Sequence, residues 1–386
     1  MDPQARTMNG SSRMAPSPAE QLFIVAAPGL EPALEAEVAA LGGKSHRWEG
    51  GVALEGPAGL HQEANLRLRT ASRVLMRLGS FRAPDVGALT RGLAALELGR
   101  VWKGTGTPRL SVTAHRSRVP AGAVLGAAAR AWGVPDLARA GTLEEEEAEG
   151  LTLLARLEGE ACTVSVDTSG GLLYRRGYRQ EVGRAPLRET LAAGVLLLAG
   201  YDGQEPLVDP MCGSGTFLIE GAWLSMRRAP GLERRFAFED FPGFEPTAWA
   251  ARRARAQAEA LAAPRAALSG FDLNAGALGT ARRNARRAGV TLALERQEVR
   301  TLAAPGGGPG LVVANPPYGK RVGEGGELPD LYRALGATLK RAFGGWRAAL
   351  LVPDETALVR ALGLPGARSL PVRNGGLPCR CLLSPL

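Results

Sequence analysis

The sequence predicts an α/β protein in which an α+β region precedes a Rossmann-like sheet, parallel except for a closing antiparallel hairpin. Three observations support this prediction. After Arg179, short apolar strands alternate with helical segments, which is typical of a doubly wound parallel sheet. Two strand-like runs near the end flank Asn374-Gly375-Gly376, a sequence that favours a hairpin turn. Before residue 170, strands and helices follow in a mixed order that suggests smaller α+β units.

Apolar periodicity places the elements of the N-terminal part. Over 60–75 the apolar residues recur at helical spacing, which predicts a helix. The other predicted elements are helices at 33–41 and 121–132 and strands at 22–26, 45–48, 52–54, 110–114, 151–157 and 161–167.

The elements of the C-terminal part follow the alternation of a parallel sheet. An apolar helix at 186–199 leads into this sheet, and a further helix is expected over 277–288. The predicted strands are 207–209, 267–272, 292–294, 311–314 and 348–352, followed by the hairpin strands 368–373 and 379–383.

Composition narrows the class of protein. The chain has 386 residues, enough for two or three domains, and its formal net charge of +9 favours a polyanionic partner such as nucleic acid. Four scattered cysteines and three histidines without ligand spacing argue against a disulfide scaffold and against a metal site. No apolar run could span a membrane, and the polar start predicts a disordered lead over 1–19, so we expect a cytoplasmic protein.

A glycine-containing turn follows the first predicted parallel strand, in the run from Asp209 to Phe217. Gly213 and Gly215 allow the backbone to approach a ligand closely, because side chains there would block it. The carboxylate of Asp209 can interact with the cationic amino-acid end of S-adenosyl-L-methionine. The third small residue of a dinucleotide motif is missing, since Leu218 stands there. Taken alone, the loop fits an ordinary tight β–α turn equally well.

The next two strand ends strengthen the prediction of a nucleoside cofactor. Asp272 ends the second strand, where it could accept hydrogen bonds from both ribose hydroxyls. The third strand ends near Glu298, which could take the adenine amine, with a surface glutamate as the alternative.

The fourth strand ends in Asn315-Pro316-Pro317-Tyr318, the most specific motif of the chain. The prolines fix the backbone, so the Asn315 side chain and the Pro316 carbonyl can together accept the two hydrogens of an exocyclic amine. This aims the nitrogen lone pair at a methyl group, while Tyr318 offers a face on which an extruded base can stack. Catalysis would then come from positioning and electrostatics.

Two other kinds of methyl transfer are disfavoured. A pyrimidine C5 enzyme needs a cysteine nucleophile on the target side, whereas Cys212 lies in the predicted cofactor loop. A 2′-hydroxyl enzyme usually has Lys and acidic groups around the acceptor, which Asn-Pro-Pro-Tyr does not provide.

The sequence resembles the THUMP-domain methyltransferases, most closely the bacterial 23S rRNA guanine-N2 methyltransferases and their tRNA guanine-N2 relatives. The order and spacing of the matching motifs together are specific. The motifs lie at 27–31, 65–73, 167–170, 175–179, 185–193, 209–217, 228–231, 315–319 and 343–346.

The resemblance implies three units: a ferredoxin-like unit over 20–75, a THUMP domain over 76–170 that binds structured RNA, and a single methyltransferase domain over 171–386. It implies a target site made of Asn315, Pro316, Pro317 and Tyr318. It implies a cofactor site that includes Asn315 together with Thr190, Asp209, Met211, Gly213, Ser214, Gly215, Thr216, Asp272 and Glu298. The chain departs from the family at Glu298, where Asp is typical.

The sequence therefore predicts methylation of guanine N2 in RNA, with 23S rRNA ahead of tRNA as the substrate. One alternative is an adenine-N6 methyltransferase that acts on DNA, because Asn-Pro-Pro-Tyr can also bind the N6 amine of adenine. The resemblance of the N-terminal region to THUMP argues against this alternative. The other alternative is an RNA-binding chaperone that catalyses no reaction. The intact glycine loop and Asn315 argue against it.

Overall fold

A computed structural model describes residues 19–141, 150–180, 187–318 and 327–386 of the chain. The predicted disordered lead, apart from residue 19, lies outside these ranges. Within them the strands form two sheets, an eight-stranded sheet in the N-terminal half and a seven-stranded sheet in the C-terminal half.

The N-terminal sheet has the strand order β2-β3-β1-β4-β8-β7-β5-β6. Its strands are β1 (Glu20–Ala26), β2 (Lys44–Trp48), β3 (Gly51–Gly56), β4 (Ala71–Arg82), β5 (Arg109–His115), β6 (Ala138–Arg139), β7 (Thr152–Glu158) and β8 (Ala161–Asp167). The long strand β4 pairs antiparallel with β1 on one side and with β8 on the other. The predicted ferredoxin-like and THUMP regions therefore share one sheet.

Four helices accompany this sheet. They are α1 (Glu31–Ala39), α2 (Leu60–Arg67), α3 (Val86–Ala94) and α4 (Ala121–Trp132). Helices α3 and α4 pack together and bury Leu89, Leu93 and Val124 in the same core as Leu153 and Val164 of the sheet.

The predicted helix over 60–75 is wrong in its second half. Helix α2 ends at Arg67, because Leu68 takes an extended backbone conformation (ψ 129°), and β4 begins at Ala71. Val74, Leu75 and Met76 of β4 are all buried. A strand that is buried on both faces shows no alternation of apolar and polar residues. Periodicity alone therefore cannot distinguish such a strand from a buried helix.

The C-terminal sheet has the order β11-β10-β9-β12-β13-β15-β14. Its strands are β9 (Leu207–Asp209), β10 (Leu268–Asp272), β11 (Ala293–Arg296), β12 (Leu311–Ala314), β13 (Arg347–Pro353), β14 (Arg368–Asn374) and β15 (Leu377–Pro385). The first five in spatial order are parallel, while β15 runs antiparallel to both β13 and β14. The predicted α/β fold, a parallel sheet closed by an antiparallel hairpin, is confirmed.

Helices cover both faces of the C-terminal sheet. They are α5 (Glu189–Leu198), α6 (Thr216–Ser225), α8 (Ala275–Arg287), α9 (Glu327–Ala342) and α10 (Thr356–Leu362). A further helix of this half, α7 (Pro246–Ala258), contacts α2 of the N-terminal half. The neighbours Leu207 and Val208 of β9 belong to different core clusters, the first shared with α5 and α6 and the second with α9 and α10. No helix in the described ranges is both long and apolar enough to cross a membrane.

Candidate active site

Three polar side chains lie at one edge of the C-terminal sheet, where neighbouring parallel strands end. Asp209 is the last residue of β9, Asp272 is the last residue of β10, and Asn315 directly follows β12. Strand β9 lies between β10 and β12 and is parallel to both, so the three carboxyl ends meet at this edge. In open α/β sheets this edge is where ligands bind.

The turn after β9 is tied to the end of β10. The amide of Gly213 donates a hydrogen bond to Oδ2 of Asp272 (2.9 Å), and the amide of Cys212 donates to the carbonyl of Phe271 (2.8 Å). Gly213 and Gly215 have φ angles of 51° and 82°, in the left-handed region that favours glycine. A Cβ added at Gly213 would meet no atom of the described chain within 4 Å beyond its neighbours, so this side of the turn is open.

The Asp272 carboxylate retains capacity for a ligand. Its Oδ2 accepts from Gly213, and its Oδ1 accepts from the amide of Asn274 (2.8 Å). An ionised carboxylate offers about four acceptor positions. Two backbone bonds therefore fix the orientation of the side chain and leave positions for further donors, such as a pair of ribose hydroxyls.

Asp209 is buried, and its Oδ1 accepts a hydrogen bond from the amide of Met211 (3.0 Å). Burial raises the pKa of this carboxyl to about 8; the bond from Met211 opposes the rise and the nearby Asp272 adds to it. A cation beside Asp209 would favour its ionised form. The group is therefore suited to the ammonium end of an amino-acid ligand.

Asn315 presents an acceptor with no partner in the described part of the chain. Its side-chain oxygen Oδ1 is buried and makes no hydrogen bond there. An unsatisfied buried acceptor costs free energy in a folded protein, which is why nearly all are paired. Tyr332 of α9 holds the backbone that follows Asn315, because its hydroxyl donates a hydrogen bond to the carbonyl of Pro317 (3.4 Å). The structure thus keeps an acceptor available on a fixed backbone.

Tyr318 is buried, and its hydroxyl is held by the C-terminal hairpin. The side-chain amide of Asn374 donates a hydrogen bond to this hydroxyl, and the thiol of Cys379 lies in hydrogen-bonding contact with the Tyr318 side chain. Sequence reasoning missed both partners. They lie more than fifty residues from Tyr318 in the chain, and only the pairing of β13 with β15 brings them to the end of β12.

The start of α6 is held by an arginine that sequence reasoning also missed. The guanidinium of Arg179 donates to Oγ1 of Thr216 (2.5 Å) and forms an ion pair with Glu189 (3.3 Å). Burial raises the pKa of Glu189 to about 7, although Arg179 opposes the rise. Thr190, the next residue of α5, is buried, and the hydroxyl of Ser214 lies 3.4 Å from that of Thr216. Arg179 therefore links the start of α5 to the start of α6, directly after the glycine turn.

Glu298 lies just beyond β11, which ends at Arg296, on the outer side of β10. Its side chain is partly exposed and pairs with Arg300. Only its Oε1 is engaged in this pair, so the carboxylate retains acceptor positions for an adenine amine.

Two family models match the chain. The model described as "RMKL-like, methyltransferase domain" matches residues 176–382, and the model described as "RlmL ferredoxin-like domain" matches residues 21–75. Both matches confirm the resemblance that the sequence motifs indicated.

Curated relatives carry RNA methyltransferase names. A Vibrio campbellii protein named ribosomal RNA large subunit methyltransferase K/L is 40% identical over 61% of this chain and 34% of its own length. The protein of that name from Methylococcus capsulatus is 36% identical over 94% of this chain and 50% of its length. A Synechocystis protein, provisionally named an RNA methyltransferase, is 31% identical over 93% of this chain and 95% of its length. The chain thus spans half or less of the two K/L relatives and nearly all of the third.

Solved structures share the whole fold. SMU.472, described provisionally as a methyltransferase and crystallised with SAH, has a TM-score of 0.82 and 26% identity, over 96% of this chain and 99% of that chain. A Listeria monocytogenes protein, described as a predicted N6-adenine-specific DNA methylase, has a TM-score of 0.79 and 28% identity, over 95% and 97% of the two chains.

Proposed function

The chain belongs to the RMKL-like methyltransferase family, and from this premise we propose that it transfers a methyl group from S-adenosyl-L-methionine to the N2 amine of a guanine in RNA. The observation that carries the proposal is the buried, unpartnered oxygen of Asn315 at the end of β12, within the described part of the chain. It lies at the sheet edge that also holds Asp209, Asp272 and the glycine turn.

The residues at this edge fit the cofactor. The open side of Gly213 admits close approach of a ligand, the Asp272 carboxylate has acceptor positions for two ribose hydroxyls, and Asp209 offers a carboxyl for an ammonium group. S-adenosyl-L-methionine, when bound, supplies an electrophilic methyl group. SMU.472, which was crystallised with SAH, supports this assignment through its similarity over the whole chain.

Asn315 and Pro316 would hold the acceptor amine. The Asn315 oxygen and the Pro316 carbonyl accept its two hydrogens, which turns the nitrogen lone pair out of conjugation with the ring and towards the methyl group. No strong base is required, because the methylated ammonium is acidic and loses a proton readily. The contribution of the protein is orientation and a fixed set of dipoles.

Several features favour RNA as the substrate, with ribosomal RNA as the leading candidate. The K/L relatives are named for the large ribosomal subunit RNA, the ferredoxin-like model matches the N-terminal region, and the net charge is +9. We assign residues 76–170 to a THUMP domain that contributes to binding of structured RNA. A tRNA guanine is the alternative substrate. An enzyme acting on either RNA would work in the cytoplasm.

A second candidate reaction is methylation of adenine N6. The Listeria protein is described by that reaction, and its 28% identity extends over 95% of this chain. The Asn-Pro-Pro-Tyr geometry suits both amines, because each presents two hydrogens on a planar ring. The names of the curated relatives favour RNA over DNA as the substrate, and the identity of the product distinguishes guanine from adenine.

Substitution of Asn315 tests the catalytic assignment. Asn315→Ala should lower the rate of methyl transfer by about 100- to 1,000-fold, the usual effect of removing one positioned polar group from a closed site. Affinity for S-adenosyl-L-methionine should stay close to wild type, because the side chain acts on the acceptor. Asn315→Asp should retain partial activity, since a carboxylate can still accept from the amine.

The measurement is single-turnover methyl transfer to unmodified rRNA, with cofactor affinity from calorimetry. An Asn315→Ala protein that transfers methyl groups at the wild-type rate would overturn the catalytic role of the motif.

A further inference from the structure

Both strands of the hairpin formed by β14 and β15 contact the Tyr318 side chain. Asn374, the last residue of β14, donates its side-chain amide to the Tyr318 hydroxyl. Cys379 of β15, which is buried, makes hydrogen-bonding contact with the same side chain and also with the backbone of Asn374. The hydroxyl end of the Tyr318 side chain is therefore contacted by one residue from each strand of the hairpin.

The near end of the same residue is also fixed. Tyr318 follows two prolines, and the carbonyl of Pro317 accepts a hydrogen bond from the buried Tyr332. A tyrosine ring has only two rotatable bonds, so holding its backbone and its hydroxyl leaves one plane for the ring. Stacking depends on the plane and offset of the two rings.

We propose that Asn374 is a positioning residue of the methyl-transfer site: it holds the Tyr318 ring in the plane on which the target base stacks. This inference rests on the proposed function, because it gives Tyr318 a target base to orient. It assigns a role in the reaction to the C-terminal hairpin, which contributes no residue to the predicted cofactor site. Asn374 acts through Tyr318 and does not itself contact the reacting atoms.

The hairpin is in turn supported by the N-terminal unit. Gly29, in the turn before α1, lies so close to β14 that a Cβ there would be 2.1 Å from the carbonyl oxygen of Pro371 and 3.0 Å from Cα of Val372. Val372 pairs with Cys379 in the hairpin, two residues before Asn374. A continuous set of contacts thus connects the ferredoxin-like unit, the hairpin and the Tyr318 side chain.

The test is a double-mutant cycle in the 386-residue chain. Asn374→Ala should lower kcat for rRNA by about 2- to 10-fold, the range expected for losing one hydrogen bond. The Kd for S-adenosyl-L-methionine should be unchanged. Tyr318→Phe, which keeps the ring and removes the hydroxyl, should lower kcat similarly, and the double variant should match Tyr318→Phe alone. Ser369→Ala, an exposed substitution at the far end of β14, is the matched control and should leave kcat unchanged.

Two results would overturn the inference: a wild-type kcat in Asn374→Ala, or an Asn374→Ala effect that persists in full in the Tyr318→Phe background. If Asn374→Ala fails to fold, Asn374→Ser serves instead, because serine is polar but too short to reach the hydroxyl. Failure of the proposed function gives a different pattern, since wild type itself would then form no N2-methylguanosine in the rRNA.

Discussion

Asp209 carries the strongest electrostatic signature of the candidate site. Burial raises the pKa of its carboxyl to about 8, and the bond from the Met211 amide does not offset that effect. At pH 7 the raised pKa favours the protonated form of this carboxyl in the free protein. An ammonium group placed beside it would reverse this balance, because a neighbouring cation stabilises the carboxylate.

A measurable proton release follows from this shift. Binding of S-adenosyl-L-methionine at pH 7 should release close to one proton from Asp209, since the pKa falls from above 7 to below it. Calorimetry in buffers of different ionisation enthalpy counts the protons released. Asp209→Asn should not show this proton release, because asparagine has no ionisable proton to give up. Equal proton release by the two proteins would contradict the assignment of Asp209 to the ammonium end.

At the scale of elements, the sequence was most informative where local chemistry sets the structure. The strands at 207–209 and 311–314 and the hairpin around Gly375 were predicted, because short apolar runs ending in a polar residue and an Asn-Gly-Gly turn carry local signals. Partners created by sheet pairing were not predictable. Asn374 meets Tyr318 only because β15 lies beside β13.

The helix predicted over 60–75 failed for a related reason. Strand β4 is buried on both of its faces, at Val74, Leu75 and Met76, so its sequence shows no alternating pattern. The roles of the cofactor and target residues stay predictions, to be tested by substitution. What the structure adds is that three of these residues lie at one sheet edge.

The contact between the turn before α1 and β14 can be tested by a matched pair of glycine substitutions. Gly29 and Gly42 both have positive φ, 91° and 78°. Alanine at either position should cost about 1–2 kcal/mol for the left-handed conformation. Only Gly29→Ala also forces a Cβ against the Pro371 carbonyl, whereas a Cβ at Gly42 meets no described atom within 4 Å.

Gly29→Ala should therefore lower the free energy of unfolding by about 1–3 kcal/mol more than Gly42→Ala, the usual cost of overpacking. Urea unfolding of the two variants measures the difference. Equal losses of stability would show that the turn and β14 are not in tight contact.

At the scale of the whole molecule, polar contacts join the two sheets. The guanidinium of Arg69, just before β4, donates to the carbonyls of Trp223 (3.1 Å) and Arg228 (2.6 Å) in the C-terminal half. Glu63 of α2 forms ion pairs with Arg252 and Arg255 of α7, each at 2.7 Å. The N-terminal half is thus held in a defined position relative to the candidate active site. In the proposed function, this geometry presents one nucleotide of a bound RNA to Asn315.

The central claim is the chemistry at that nucleotide, and the product formed by the purified 386-residue chain tests it most directly. The protein would be incubated with S-adenosyl-L-methionine and unmodified 23S rRNA, and in parallel with unmodified tRNA, and the RNA would be digested to nucleosides for mass spectrometry. We predict N2-methylguanosine in the rRNA, formed by wild type and formed about 100- to 1,000-fold more slowly with Asn315→Ala. The absence of any methylated nucleoside from both RNAs, or the appearance of N6-methyladenosine in place of N2-methylguanosine, would contradict this claim.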